Sequence, residues 1–161
     1  MSLLQMLSGL EEVGIRYIMC GGVAGAAHGS RRVTDDLDIL YDTSADNTRA
    51  LASVLAGWHA YPREVEPGLP FIMDERTLQG AAVLTLTTDR GLLDLFREMR
   101  GVGTYERALR GSVAIDLDGS TVRTLNLEQL IAAKRAAARP KDREHLLELE
   151  AIRDLRRRES R

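Results

Sequence analysis

The segment Asp36-Leu37-Asp38-Ile39-Leu40-Tyr41 constrains this chain more than any other. Side chains alternate between the two faces of a strand. Leu37, Ile39 and Tyr41 therefore share one face, and Asp36 and Asp38 share the other. The apolar set belongs in a core, so both carboxylates project together from the opposite side. Two like charges so close repel unless a cation sits between them. Hard divalent ions such as magnesium take oxygen ligands and suit such a pair. The segment Gly91-Leu92-Leu93-Asp94-Leu95-Phe96 repeats the pattern, with Leu93 and Leu95 on one face and Asp94 on the other.

An isolated Asp-x-Asp is common by chance, so its surroundings decide its meaning. Upstream, IRYIMC reads as a short buried strand, broken by Gly21-Gly22 and followed by a helix of small residues. Glycine lets the backbone approach a ligand closely, and a helix start offers N–H groups to a phosphate. A plain tight turn explains the glycines equally well. A dinucleotide-binding unit would use an acid about 20 residues on, where Asp42 stands, but G-x-G-x-x-G is missing and the polar loop from His28 to Asp35 leaves little room for a crossover helix. If the Asp94 strand lies beside the Asp36 strand, three carboxylates converge. That is the charge required by two magnesium ions and a nucleoside triphosphate (NTP) in two-metal phosphoryl transfer.

The remaining pattern predicts a mixed α/β (α+β) domain: a small mixed sheet flanked by helices, with a C-terminal helical subdomain. The expected boundaries are a core over residues 1–124 and a helical segment over 125–161. Leu3, Leu4, Met6, Leu7 and Leu10 recur at helical spacing up to Gly14. A helix is expected from about Asn47 to Leu55, capped by Ser44 or Asp46. Residues 57–80 carry three of the four prolines and read as loop with at most short elements. AAVLTLTT and GLLDLF form a hairpin through Asp89-Arg90-Gly91, and VAIDL and TVRTL form another around Asp118-Gly119. Residues 104–110 read as a short helix. NLEQLIAAKRAAA is helical, Pro140 is expected to begin a second helix, and the charged end RDLRRRESR is expected to fray.

Leu127, Leu130 and Ile131 form an inward stripe, and Lys134 falls on the same face. Asp142 likewise aligns with Leu146 and Leu149. Inward charges are unusual unless paired or functional. Lys134 is thus either a ligand-binding cation or half of a structural ion pair. His28, at a helix end, reads as a cap or turn residue rather than a catalytic base. Cys20 reads as a buried small hydrophobe. Arg156 to Arg158 read as a solvated helix end, with phosphate contacts to RNA as the alternative.

Composition narrows the classes. The chain has 161 residues, 44 % hydrophobic and 29 % charged, with a formal net charge of -2. That balance opposes a general nucleic-acid-coating protein. One cysteine excludes an internal disulfide and fits a reducing cytoplasm. The start lacks the pattern of a signal peptide, and no apolar run approaches the length that spans a bilayer, so a cytoplasmic location without membrane association is expected.

The Gly21-Gly22 pair, the 13 residues from Val23 to Asp35, and then Asp36-x-Asp38 resemble the DNA polymerase β-like nucleotidyltransferase superfamily. More narrowly, GGVAGAAHGSRRVTDDLDI is similar to the branch of AbiEii-type and MenA-type toxins. The matching residues are Gly21, Gly22, His28, Gly29, Arg32, Thr34, Asp36 and Asp38. A second block, Lys134, Arg139, Lys141 and Asp142, matches that branch as well, although His145 stands where an Asp is frequent and Gly22 where many members use serine. The resemblance implies transfer of a nucleoside monophosphate from an NTP to a hydroxyl acceptor. Asp36, Asp38 and Asp94 would be catalytic and would hold two magnesium ions. Gly21, Gly22, Arg32, Thr34, Lys134 and Asp142 would bind the nucleotide. It further implies tRNA as acceptor and a toxin role with a cognate antitoxin protein. The alternatives are a transferase acting on an antibiotic or a protein, and a non-catalytic nucleotide-binding antitoxin module.

Overall fold

The computed structural model describes residues 3–32 and 34–161, so Val33 in the predicted polar loop lies outside the described residues. Helix α1, Leu3–Glu12, buries Met6, Leu7 and Leu10, and the chain leaves it through Gly14 at φ 75°. Strand β1, Tyr17–Cys20, is buried throughout. Helix α2, Gly21–Ala27, starts with no loop after it, so the expected glycine turn is the first turn of the helix. Strand β2 is Asp36–Tyr41. Helix α3, Ala45–Gly57, begins directly after Ser44, two residues earlier than expected. Asn47 is buried inside its first turn, where its side chain accepts from the Arg16 N–H at 2.8 Å and donates to the Asp42 carbonyl at 2.7 Å.

The proline-rich stretch holds only strand β3, Tyr61–Pro62, and helix α4, Glu75–Gln79, whose N-cap Asp74 accepts from the Thr77 N–H. Strands β4, Val83–Thr88, and β5, Gly91–Phe96, form the expected hairpin. Strands β6, Glu98–Met99, and β7, Gly103–Thr104, pair by themselves and precede helix α5, Tyr105–Leu109. Strands β8, Val113–Leu117, and β9, Ser120–Thr124, turn through Asp118 and Gly119 at φ 54° and 87°, both positive as a two-residue hairpin turn requires. Helix α6, Leu127–Ala137, opens with a capping box of Asn126 and Gln129.

One expectation is refined and one is corrected. Pro140 begins a 3-10 turn, Pro140–Asp142, and helix α7 starts only at Arg143. The charged tail does not fray, because α7 runs to Glu159. Arg156 anchors it, with its guanidinium donating to the His28 carbonyl at 2.9 Å. The His28 imidazole is itself buried against the Leu125 carbonyl at 2.8 Å.

Among the described residues, seven strands form one sheet in the order β3-β4-β5-β2-β1-β9-β8. β1 and β2 are antiparallel neighbours. This excludes the dinucleotide-binding unit, whose strands run parallel. Asp42 instead pairs with Arg16 at 2.7 Å. β2 and β5 run parallel. Residues paired across strands share a face, so Met19, Ile39, Leu95 and Leu84 form one apolar row and Leu37, Leu93 and Leu86 another. All but Leu84 are fully buried. Leu127, Leu130 and Ile131 of α6 and Leu149 of α7 belong to the same core cluster. Among the described residues, no helix is long and apolar enough to cross a membrane.

Candidate active site

Asp38 stands directly opposite Asp94 in the parallel β2–β5 pair. Asp36 lies two residues before Asp38 and so on the same face. The alternation that buries Leu37, Ile39, Leu93 and Leu95 therefore gathers three carboxylates on the reverse side of the sheet. Cys20 pairs with Asp38 from the other flank and is fully buried. Burial, with the Asp38 charge beside it, pushes its thiol well above the ordinary range.

Gly21 explains how α2 can begin against this row. A Cβ at this position would fall 1.8 Å from an Asp38 carboxylate oxygen, and the backbone is left-handed at φ 67°. Gly21→Ala should therefore cost about 1–2 kcal/mol from the backbone alone and also displace Asp38. Thermal unfolding checks the first effect, and the Asp38 carboxyl pKa by NMR checks the second. An unshifted Asp38 signal in a stably folded variant would contradict this close approach.

Asp38 is the perturbed carboxyl. Burial raises its pKa first and the neighbouring Asp36 charge second. A hydrogen bond from Gly22 and the charges of Lys134 and Arg63 pull it back, leaving it at about 6. The Gly22 N–H, expected to face phosphate, is thus donated to Asp38. Gly22 also packs on Thr34, whose Cγ2 would lie 2.7 Å from a Cβ there. The Thr34 hydroxyl accepts from the Asp36 N–H at 3.3 Å and so steadies the start of β2.

One residue of the site was not foreseen. Arg63 reaches over from the edge strand, with one guanidinium nitrogen 3.4 Å from Asp36 and the other ion-paired with Asp94. It lies in the proline-rich stretch, where no periodicity pointed to it.

Lys134 and Asp142 are brought together, but with each other. The ammonium lies 3.0 Å from the Asp142 carboxylate, which Arg139 also grips at 2.6 Å. Burial pushes the Asp142 carboxyl up, but the Lys134 and Arg139 hydrogen bonds outweigh it and hold it below the ordinary range. His145 is buried beside this cluster, against Gly25, and neither ring nitrogen has a hydrogen-bond partner among the described residues. Burial, then the charges of Lys134 and Arg32, hold its imidazole below its usual pKa. Arg32 itself is exposed, and its backbone N–H donates to the Ser30 hydroxyl at 3.2 Å.

The donor chemistry fits magnesium: three carboxylates from adjacent strands offer hard oxygens on one face. As they stand, no three His, Cys, Asp or Glu side chains among the described residues are gathered to hold an ion. The Arg63 guanidinium instead joins Asp36 to Asp94.

No family model matches the chain, and no curated protein matches it. Solved structures do. A candidate nucleotidyltransferase from Thermotoga maritima is similar at a TM-score of 0.55 and 14 % identity, covering 92 % of this chain and 94 % of that one. The chain has a nucleotidyltransferase fold. The antibiotic-resistance factor ANT(2'')-Ia in solution is similar at a TM-score of 0.56 and 16 % identity, covering 98 % of this chain and 90 % of that one. Its crystal structure with adenylyl-2''-tobramycin gives 0.53 and 17 %, over 99 % and 97 % of the two chains. At such identities the likeness is one of fold, and function has to be argued from the site.

Proposed function

We propose that the protein is a magnesium-dependent nucleotidyltransferase that moves a nucleoside monophosphate from an NTP to a hydroxyl. The observation that supports this most is the register that sets Asp94 opposite Asp38, with Asp36 on the same face. In the reaction, the acceptor oxygen bonds to the α-phosphorus, the bond from that phosphorus to the bridging oxygen breaks, and pyrophosphate leaves. Asp36, Asp38 and Asp94 would hold the metal, which when bound supplies positive charge against the phosphate oxygens. Asp94, ordered by its place between β2 and β4, takes the acceptor proton. Lys134, whose charge already acts on Asp38, neutralises the leaving phosphates, with Asp142 orienting it. Gly21, Gly22, Thr34 and Arg32 form the wall on which the nucleotide lies.

The acceptor follows from the resemblance to AbiEii-type and MenA-type toxins: a hydroxyl of tRNA, in a cytoplasmic toxin that a cognate antitoxin restrains. A small-molecule hydroxyl is the second reading, favoured by the likeness over nearly the whole chain to ANT(2'')-Ia bound to an adenylylated antibiotic. Incubation of the protein with α-labelled NTPs, magnesium, and total tRNA, an aminoglycoside or total protein separates the two. The expected result is magnesium-dependent label on tRNA, lost in Asp36→Ala. Label on the aminoglycoside selects the second reading. No transfer to any acceptor, together with no triphosphate binding, would refute the proposal.

A further inference from the structure

Strand β3 supplies only Tyr61 and Pro62 to the sheet edge. The ladder nevertheless continues, because the Arg63 N–H donates to the Thr85 carbonyl at 3.0 Å. Pro62 stands opposite Leu86, so Arg63 comes opposite Thr85. Thr85 pairs with Asp94, and Asp94 pairs with Asp38. Arg63, just past the end of β3, thus falls in line with Thr85, Asp94 and Asp38 of β4, β5 and β2, on one face.

The guanidinium ends within this row. It spans from Asp36, at 3.4 Å, to Asp94 and leaves the Arg63 side chain 24 % exposed. A planar fork suits this task, since its nitrogens reach two carboxylates on neighbouring strands at once. It places positive charge between Asp36 and Asp94, on the face they share with Asp38, where like charges repel without a cation. A two-residue edge strand and the exposed, proline-bearing loop after it give the side chain room to leave.

We propose that Arg63 is the built-in counter-cation of the carboxylate cluster, and that a divalent ion must displace it to bind. The arginine therefore lowers the metal affinity of the nucleotide-free protein and holds Asp36 and Asp94 in place until metal arrives. This rests on the reading of Asp36, Asp38 and Asp94 as metal ligands.

The test is direct titration of the nucleotide-free protein with Mn2+, reading free ion by electron paramagnetic resonance. Arg63→Gln should bind Mn2+ roughly tenfold more tightly than wild type, the coupling expected when one competing ion pair is removed. Its metal-free thermal midpoint should fall, and added Mn2+ should raise it more than it raises that of wild type. Arg63→Lys keeps the charge but loses the fork, so it should fall between the two and serves if the glutamine variant does not fold. Equal or weaker Mn2+ binding by the variants, with normal binding by wild type, would overturn this inference alone. No Mn2+ binding by any of the proteins would overturn it together with the metal-site reading.

Discussion

Asp38→Asn is expected to stabilise the metal-free protein at neutral pH while reducing nucleotidyl transfer to background. The Asp38 carboxyl is raised to about 6 by burial and by Asp36. An acid with a raised native pKa is held protonated by the fold more firmly than by the unfolded chain. Its ionisation therefore opposes folding, and stability is lost as pH climbs from the ordinary Asp value toward 6, then levels off. The full penalty is on the order of 3 kcal/mol at pH 7. Asparagine removes the charge and keeps an oxygen to accept the Gly22 N–H. Urea unfolding of wild type and variant from pH 3.5 to 8 should give curves that coincide in acid and separate through this window, with the variant above. Transfer should drop by about 10²–10³-fold, the scale on which loss of one preorganised electrostatic group acts. Residues placed for chemistry commonly trade stability in this way. A variant less stable than wild type at pH 7 would contradict the electrostatics assigned to Asp38.

Asp142→Ala should act in the opposite direction, and strongly. The Asp142 side chain is only 4 % exposed and joins Lys134, 16 % exposed, to Arg139. Removing it leaves the Lys134 ammonium enclosed without its partner. Breaking a buried pair from one side costs about 3–5 kcal/mol. Arg139 is half exposed and can turn to water, so the Lys134 contribution dominates. The sign with pH is also fixed. The Asp142 carboxyl is depressed by its cations, so the stability it supplies is present above the ordinary Asp range and is lost as pH falls through its own lowered value. Urea unfolding at pH 7 should therefore show the full loss, and the difference from wild type should close in strong acid. A neutral Asp142→Ala at pH 7 would mean that Lys134 is not held by this pair.

The parts of this fold that could be read from the sequence are those fixed by short-range chemistry. Alternation in DLDILY and GLLDLF follows from strand geometry, and it gave the faces of Asp36, Asp38 and Asp94 directly. Asp118-Gly119 declared its turn because both residues adopt positive φ. Strand order is a long-range property, and only the structure put β5 beside β2 in a register that sets Asp94 against Asp38. Arg63 was hidden for the same reason. It acts on Asp36, 27 residues earlier, through a strand too short to carry a pattern. The pairs β6 and β7 have two residues each and left no periodic trace. At the C-terminus, composition misled. RDLRRRESR looks solvated, yet Arg156 is held by His28, 128 residues away in sequence. The inward face of Lys134 was legible, but its partner Asp142 became evident only once the 3-10 turn brought it back across the end of α6.

In the proposed reaction the carboxylates Asp36, Asp38 and Asp94 serve transfer of a nucleotide and not of a phosphate. The most direct test compares NTP labelled at the α-phosphate with NTP labelled at the γ-phosphate, in parallel reactions with magnesium and total tRNA. The α-label should pass to the acceptor, and the γ-label should appear only in pyrophosphate, with both signals absent in Asp36→Ala. Appearance of the γ-label on the acceptor, or α-label transfer that persists in Asp36→Ala, would rule out nucleotidyl transfer by these carboxylates.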